Sequence, residues 1–127
     1  MKIVISAFLL IVCLIVLNAI YKDEKRIGNG YKIYYFYEGD IYFVKKKGFN
    51  KSSGNVFDGI VTDVVELDRC YIFYVKKHYG GDVSGWYFLD PFADKIKYIG
   101  QSIDNIKSEF RLDSVSVINI KSFFNSL

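Results

Sequence analysis

The chain has 127 residues, of which 51% are hydrophobic, 18% aromatic and 24% charged. This length excludes two domains of ordinary size, and this apolar content excludes a disordered chain. The net charge is +3, and residues 27–127 carry 13 of the 17 basic and 12 of the 14 acidic side chains. Because its positive and negative charges nearly cancel, the domain has no overall electrostatic field to attract a polyanion, which argues against nucleic acid as a partner.

The amino-terminal segment is strongly apolar, because residues 3–20 contain no charged side chain. At ~1.5 Å per residue, a helix of this length covers about 27 Å, close to a hydrocarbon core of roughly 30 Å. We therefore predict a transmembrane anchor over residues 1–21, which would act as a single-pass signal anchor in a bacterial inner membrane. The side chains that define this anchor are Ile3, Phe8, Leu9, Leu10, Leu14, Val16 and Ile20.

Two other fates of this segment stay open. A cleaved signal peptide needs small residues before the cut, and of the residues 17–19 only Ala19 meets this need fully. A lipid-attachment site would use Cys13, but Val12 is larger than the residue expected before such a cysteine. Basic residues after the segment favour a cytosolic domain under the positive-inside rule. An apolar segment that begins at residue 3 instead favours export of the rest of the chain, so we expect a periplasmic domain.

Residues 22–30 are predicted to be a polar linker, and residues 31–127 a small β-rich soluble domain. In this domain, aromatic and β-branched runs alternate with turn residues, as is typical of antiparallel strands. The pattern predicts a mainly β (α+β) fold, an antiparallel meander sheet of six or seven short strands with one late helix. The predicted strands cover residues 31–37, 41–46, 57–67, 70–78, 86–90, 95–99 and 115–120.

Three local signals refine this prediction. Residues 38–40, with a central glycine, form a three-residue connection suited to a β-hairpin. Gly59 is predicted to mark a bulge. A helix is expected to start at Ser102, whose hydroxyl can cap the first turn. Its apolar face, at spacings of three and four, consists of Ile103, Ile106 and Phe110.

The sequence contains no catalytic signature, and we predict no enzymatic activity, no metal and no cofactor. His78 is the only histidine, so it cannot form a multi-histidine metal site. Cys70 is expected to be a core residue, because eight residues of straight strand would hold it roughly 26 Å from His78. Asp90 and Asp94 bracket a turn, where aspartates usually bond the backbone. A hydrolase that used them would need a concave site joining one of them to another carboxylate.

Tyrosine is the most distinctive residue, with eleven copies. Alternate tyrosines of a half-buried strand must face outward, and exposed aromatic rows usually need a partner to cover them. Amphipathic packing with the hydroxyl groups in water is the other interpretation. The residues predicted to bind a partner protein are Tyr34, Tyr35, Tyr37, Tyr42, Tyr79 and Trp86.

Lysines cluster at residues 45–47 and 76–77, beside aromatic residues. At strand ends such residues usually protect the sheet from edge-to-edge aggregation. In a cytosolic domain they could instead contact anionic lipid headgroups.

The layout also resembles small membrane-anchored bacterial proteins of the immunity type, some of which are encoded beside secreted antibacterial toxins. The apolar start, Gly30-Tyr31, residues 70–73, residues 86–90 and Gly100 before a short helix carry this resemblance. It implies a membrane-anchored module that binds a toxin or an envelope protein and inhibits it by occlusion. The chain lacks the lipid-attachment cysteine of such proteins, and the resemblance carries over no active-site residue. An accessory structural subunit of a bacterial envelope complex is the alternative function.

Overall fold

The computed structural model describes residues 2–22, 24–46, 54–77, 81 and 83–127, with only the backbone described for residues 2 and 17–22. The described part contains three α-helices and eight β-strands. The helices are α1 (Lys2–Lys22), α2 (Ile103–Phe110) and α3 (Ile120–Ser126). The strands are β1 (Glu24–Gly28), β2 (Tyr31–Phe36), β3 (Ile41–Lys46), β4 (Gly59–Leu67), β5 (Cys70–Lys77), β6 (Gly85–Asp90), β7 (Lys95–Gly100) and β8 (Ile118–Asn119).

Helix α1 covers the segment predicted to be a membrane anchor. All of its described side chains, residues 3–16, are exposed, including Ile3 at 85% and Phe8 at 67%. The side chain of Ile20 lies outside the described residues. A helix with both the length and the apolar character needed to cross a membrane is not found in the described part of the chain. The anchor therefore stays a prediction.

The seven strands β1 to β7 form one sheet in sequence order, and each pairs antiparallel with the next. The two-residue strand β8 is added beside β4. The predicted antiparallel meander is thus confirmed. The hairpin of β2 and β3 is also confirmed, with Tyr31 opposite Lys46 and Phe36 opposite Ile41. Its connection is a 3-10 turn followed by Asp40 in the left-handed region, at φ 50°.

Two predicted elements differ from the structure. Strand β1 lies inside the predicted linker, and its Ile27 is buried in the core although a run of charged residues precedes it. The chain has two late helices where one was predicted. Of the predicted strand over residues 115–120, only β8 pairs with the sheet, because the Asn119 side chain accepts a hydrogen bond from the Lys121 N–H (2.9 Å) and starts α3.

The bulge predicted at Gly59 lies three residues later. The register between β4 and β5 shifts between Val61 and Asp63, so Thr62 is the extra residue. In a regular strand Val61 and Val64 would face opposite sides of the sheet. With the inserted residue, both are buried in the same core. Strand β4 also changes neighbours here: Val61 pairs with β3, whereas Asp63 and Val64 pair with β8.

Both faces of the central strands are buried. On β5, Phe73 and Val75 face the larger core together with α3, whereas Ile72 faces a smaller core together with α2. The Ser102 cap of α2 is confirmed, since its Oγ accepts a hydrogen bond from the Asp104 N–H (3.0 Å). On that helix Ile106 is fully buried and Phe110 half-buried, but Ile103 is 41% exposed. The predicted apolar face is therefore only partly covered.

The sheet curls until the turn between β1 and β2 contacts the turn between β6 and β7. The Asn29 Nδ2 donates a hydrogen bond to the Pro91 carbonyl oxygen (2.8 Å), and the Tyr31 hydroxyl donates one to Asp94 Oδ1 (2.9 Å). Tyr31 is fully buried. These bonds link residues more than 60 positions apart in the sequence, so they hold the first and last hairpins together at one end of the sheet.

Gly59 is required for close packing between β4 and β5. A Cβ at this position would lie 2.5 Å from both the Lys76 carbonyl oxygen and Val75 Cγ1. We expect Gly59→Ala to lower the free energy of unfolding by roughly 1–3 kcal/mol, the usual cost of overpacking. The control is Gly39→Ala, whose new methyl group would meet Ile41 at an ordinary 3.5 Å. Denaturant unfolding of the full chain measures both, and equal stability of the two variants would contradict the prediction.

Candidate partner-binding surfaces

The predicted partner-binding tyrosines lie on different faces of the sheet. Tyr42 is 5% exposed and belongs to the larger core. Tyr35 packs against that core with its ring 4.8 Å from the ring of Tyr42 and 6.2 Å from that of Phe124. The Tyr35 hydroxyl donates a hydrogen bond to Asp40 (2.7 Å), which is the main reason why its pKa rises to about 12. Tyr42 is therefore part of the core, whereas Tyr35 is half-buried among three aromatic rings.

Two other predicted residues are open to solvent to different degrees. Tyr37, in the turn of the hairpin, is 67% exposed and touches the ring of Tyr35 edge-on at 5.1 Å. Tyr34 lies half-buried on the opposite face of β2, where the Lys45 ammonium group sits 4.5 Å above its ring centre. Tyr79 lies outside the described residues. The binding of these three tyrosines to a partner stays a prediction.

Trp86 is 5% exposed and lies in the smaller core, with its ring 5.3 Å from that of Tyr74. It nevertheless lines an open groove of about 470 Å³ between β5, β6 and the start of α2. At the mouth of this groove Ile103 and Val117 are 41% and 40% exposed. We call it the Trp86 groove; its lining residues are Asp63, Tyr74, Trp86, Gln101, Ile103 and Val117.

A second surface lies on the outer side of the first three strands. Because alternate residues share a face, the side chains opposite the core form cross-strand rows. The register pairs Phe36 with Ile41 and Tyr34 with Phe43. Phe36 is 41% exposed and the other three are half-buried around a pocket of about 330 Å³. We call this surface the hairpin face; it consists of these four residues and a basic row formed by Arg26, Lys32 and Lys45.

The basic row of the hairpin face crosses all three strands. Arg26 of β1 is opposite Lys32 of β2, and Lys32 is opposite Lys45 of β3. Lys32 forms an ion pair with Glu24 at 3.2 Å, and Arg26 is exposed. The sequence prediction omitted Phe36, Ile41, Phe43 and Arg26. For the first three, the strand alternation around the predicted hairpin already indicated a shared face with Tyr34.

Asp94 is the centre of a charged cluster where the two turns meet. Besides the hydrogen bond from Tyr31, it accepts one from the Lys46 ammonium group, which also lies 4.6 Å above the ring of Tyr31. The hydrogen bonds from Lys46 and Tyr31 lower the pKa of Asp94. Burial, followed by the hydrogen bond to Asp94, raises the pKa of Tyr31 to about 12. The cluster thus favours a charged Asp94 and a neutral Tyr31.

The two turn aspartates have separate structural roles. Asp90 Oδ1 accepts hydrogen bonds from the N–H groups of Phe92 and Ala93 (3.1 Å each), which confirms the expected turn geometry. Asp94 is bound to Tyr31 and Lys46. In the part of the chain that is described, His, Cys, Asp and Glu side chains form no group of three or more that could hold a metal ion. His78 lies outside the described residues.

No protein-family model, curated protein or solved structure matches the chain. The resemblance to immunity-type proteins therefore stays a prediction. The function has to be inferred from the surfaces of the chain itself.

The cluster around Asp94 should make folding stability sensitive to acid. Its carboxyl group has a folded pKa below the ordinary value of 3.8, so its contribution is complete above that pH and is lost as the pH falls through the folded pKa. We expect Asp94→Asn to lower the free energy of unfolding at neutral pH and to flatten its decline in acid. Denaturant unfolding at a series of pH values measures both effects.

Glu109→Gln is a matched control for this prediction, because it removes another exposed carboxylate that pairs with a lysine, Lys97. An isolated surface ion pair contributes little. A loss of stability at neutral pH as large for Glu109→Gln as for Asp94→Asn would contradict the special role of the cluster.

Cys70 is half-buried and belongs to neither core, so the expectation of a core residue is wrong. It is nevertheless expected to react slowly with thiol reagents at neutral pH. Burial, followed by the charge and hydrogen bond of Asp90, raises the pKa of its thiol, and only the thiolate is nucleophilic. Asp90→Asn should speed maleimide labelling of Cys70 in a Cys13→Ser background, because it removes the charge but keeps an acceptor for the turn. Asp104→Asn is the control and should leave the rate unchanged. If Cys70 in the Cys13→Ser chain were labelled as fast as a free cysteine peptide, the prediction of a slow thiol would be wrong.

Proposed function

We propose that this chain is a membrane-anchored module that binds a partner protein and inhibits it by covering part of its surface, as an immunity or exclusion protein does. Residues 1–21 are the anchor in this proposal, and the domain lies on the periplasmic side of a bacterial inner membrane. The partner is a toxin or an envelope protein. The proposed mode of action is binding without a chemical step, and both turn aspartates are assigned to holding the fold.

The Trp86 groove is the observation that carries the proposal. Its volume of about 470 Å³ lies within the range of roughly 300–1,000 Å³ that is typical of binding pockets. Its floor is aromatic, and its mouth presents the exposed apolar side chains of Ile103 and Val117. In protein–protein interfaces, a few large side chains that enter well-packed pockets contribute most of the binding free energy. The groove therefore suits one or two large side chains from a loop of the partner.

Part of the groove wall is formed by packed side chains and a capped helix, and a preformed wall favours binding because little order must be created on association. The Trp86 ring is fixed edge-on against Tyr74. Helix α2 is held by the Ser102 cap at its start and by Ile106, which is fully buried in the smaller core. Ile103 comes directly after the cap, so its position at the mouth is set by a well-formed helix start.

The anchor is supported by the sequence and by the exposure of α1. Residues 3–20 carry no charge, and the described side chains of α1 are exposed over residues 3–16. A continuous apolar surface of this size is costly in water and indicates a covering phase or partner. Lipid covers all sides of a helix equally, which fits a segment that is apolar on every side.

Site-specific photo-crosslinking tests the groove as the partner site. A photoreactive residue at Val117 should cross-link one partner in producing cells, whereas the same residue at Val83, an exposed valine (59%) outside the groove, should not. The partner, once purified, should lose activity when the full chain is added. We expect Val117→Arg to weaken inhibition at least tenfold, a change of about 1.4 kcal/mol, and Val83→Arg to leave it unchanged. Full inhibition by Val117→Arg would rule out the groove.

The anchor is tested separately by replacing residues 1–21 with an unrelated single-pass helix of the same topology. Inhibition by occlusion should survive this replacement, because α1 then serves only to hold the domain at the membrane. Loss of function at an unchanged level of folded protein would favour an accessory subunit, whose anchor packs on other membrane helices. Fusions of the carboxyl terminus to alkaline phosphatase and to a fluorescent protein report which side of the membrane the domain occupies.

A further inference from the structure

The hairpin face changes along its strands from an apolar row at one end to a basic row at the other, and the row between them contains two aromatic residues and Glu24. The first row lies at the tip of the hairpin, next to the exposed turn residues Tyr37, Glu38 and Asp40. The next row is two residues further along each strand, and the basic row is two residues beyond that. From the tip, the rows are Phe36 with Ile41, then Glu24 with Tyr34 and Phe43, then Arg26 with Lys32 and Lys45.

The apolar end of this face lies beside the end of α1. Helix α1 ends at Lys22 and β1 begins at Glu24, so the two ends are separated by at most about 7 Å of extended chain. Strand β1 is antiparallel to β2, and Glu24 is opposite Tyr34. The start of β1 therefore lies at the same end of the sheet as Phe36 and the turn of the hairpin.

The basic row lies further from α1 than the apolar tip. Each step of two residues along a strand is about 7 Å, which places the row of Arg26, Lys32 and Lys45 roughly 14 Å from the row of Phe36 and Ile41. Long basic side chains can extend along apolar surface and place their charges at a more polar level. The order along the strands thus matches the order from the hydrocarbon edge of a bilayer outward to its headgroups.

The charges of the basic row also call for an anionic neighbour. Like charges directly opposite each other on adjacent strands are destabilising, and this row contains two such pairs, Arg26 with Lys32 and Lys32 with Lys45. Glu24 is the carboxylate that pairs with Lys32, and Lys45 lies over the ring of Tyr34. Three cations with one paired carboxylate leave a local positive charge that lipid phosphates would neutralise.

From these observations we propose that the hairpin face rests on the surface of the membrane that holds α1. Phe36, Tyr37 and Ile41 lie at the boundary between hydrocarbon and headgroups, the exposed carboxylates of Glu38 and Asp40 in the same turn stay in the polar headgroup layer, and the basic row contacts the phosphates of anionic lipids. This inference rests on the proposed anchor. A membrane is favoured over a second protein as the occupant because α1 holds this face next to the bilayer at a high effective concentration.

Fluorescence from a single labelled position tests the contact in the full chain. The chain is reconstituted into vesicles of equal parts phosphatidylcholine and phosphatidylglycerol, in a background with Cys13→Ser and Cys70→Ser. An environment-sensitive fluorophore is attached at Tyr37→Cys or, as control, at Phe92→Cys. Phe92 is a similarly exposed aromatic residue (65%) in the turn between β6 and β7. This turn contacts the turn between β1 and β2, at the end of the sheet away from the hairpin tip. We expect lipid-borne nitroxides to quench the label at position 37 but not the label at position 92.

The basic row is tested with the same label at position 37. Replacing Arg26, Lys32 and Lys45 by glutamine, or omitting phosphatidylglycerol, should lower quenching severalfold. The matched control replaces Lys76 and Lys77, an exposed basic pair of β5, by glutamine and should leave quenching unchanged. Circular dichroism confirms that each variant is folded.

Flotation of the vesicles separates the possible failures. If the chain floats with the vesicles but position 37 is as accessible to an aqueous quencher as position 92, the proposed contact is wrong. If position 37 is protected only in cells that contain a protein partner, the face binds protein and the membrane contact is again wrong. If the chain does not float with vesicles at all, the anchor fails and this inference fails with it, whereas the Trp86 groove is untouched.

Discussion

The extra residue at Thr62 is the constraint on which most of the architecture depends. It shifts the pairing of β4 on β5, so that Val61 and Val64 both enter the larger core. At the same point β4 leaves β3 and pairs with β8. The separation from β3 provides the space that α3 fills, with the ring of Phe124 5.3 Å from Tyr42. Without the extra residue, Val61 and Val64 would lie on opposite faces of the sheet.

Once the sheet is bent in this way, its two ends must be held against each other. The Tyr31 hydroxyl and Asn29 provide the hydrogen bonds between the outer turns, and Lys46 adds charge to the contact at Asp94. Because the sheet curls, one side of β1 to β3 faces the larger core and the other side faces outward. Helix α2 packs on the smaller core and α3 on the larger core. Neither helix covers the outward side of the hairpin, so its aromatic and basic residues stay at the surface.

Local sequence patterns were enough to predict strands β2 to β7, the hairpin and the Ser102 cap, because each depends on residues that are neighbours in the chain. The bulge at Thr62 depends on the register with β5, which no local pattern specifies. Strand β1 was missed because Ile27 follows a run of charged residues, of which Glu24 pairs across the strands with Lys32. The tyrosines were grouped by composition, although their odd and even positions place Tyr35 inward and Tyr34 outward. Combining the predicted turn with this alternation would have separated them.

The two candidate surfaces belong to different strands, and this separation has a mechanical consequence. The Trp86 groove is formed by the central strands and α2, whereas the hairpin face belongs to β1, β2 and β3. In the proposed arrangement the domain is held at a membrane by one covalent link and can rotate about it, and each orientation that hides the groove reduces the competent population. A second contact through the hairpin face would restrict that rotation before a partner arrives. Part of the orientational entropy cost of binding would then be met in advance, which raises affinity without any new contact to the partner.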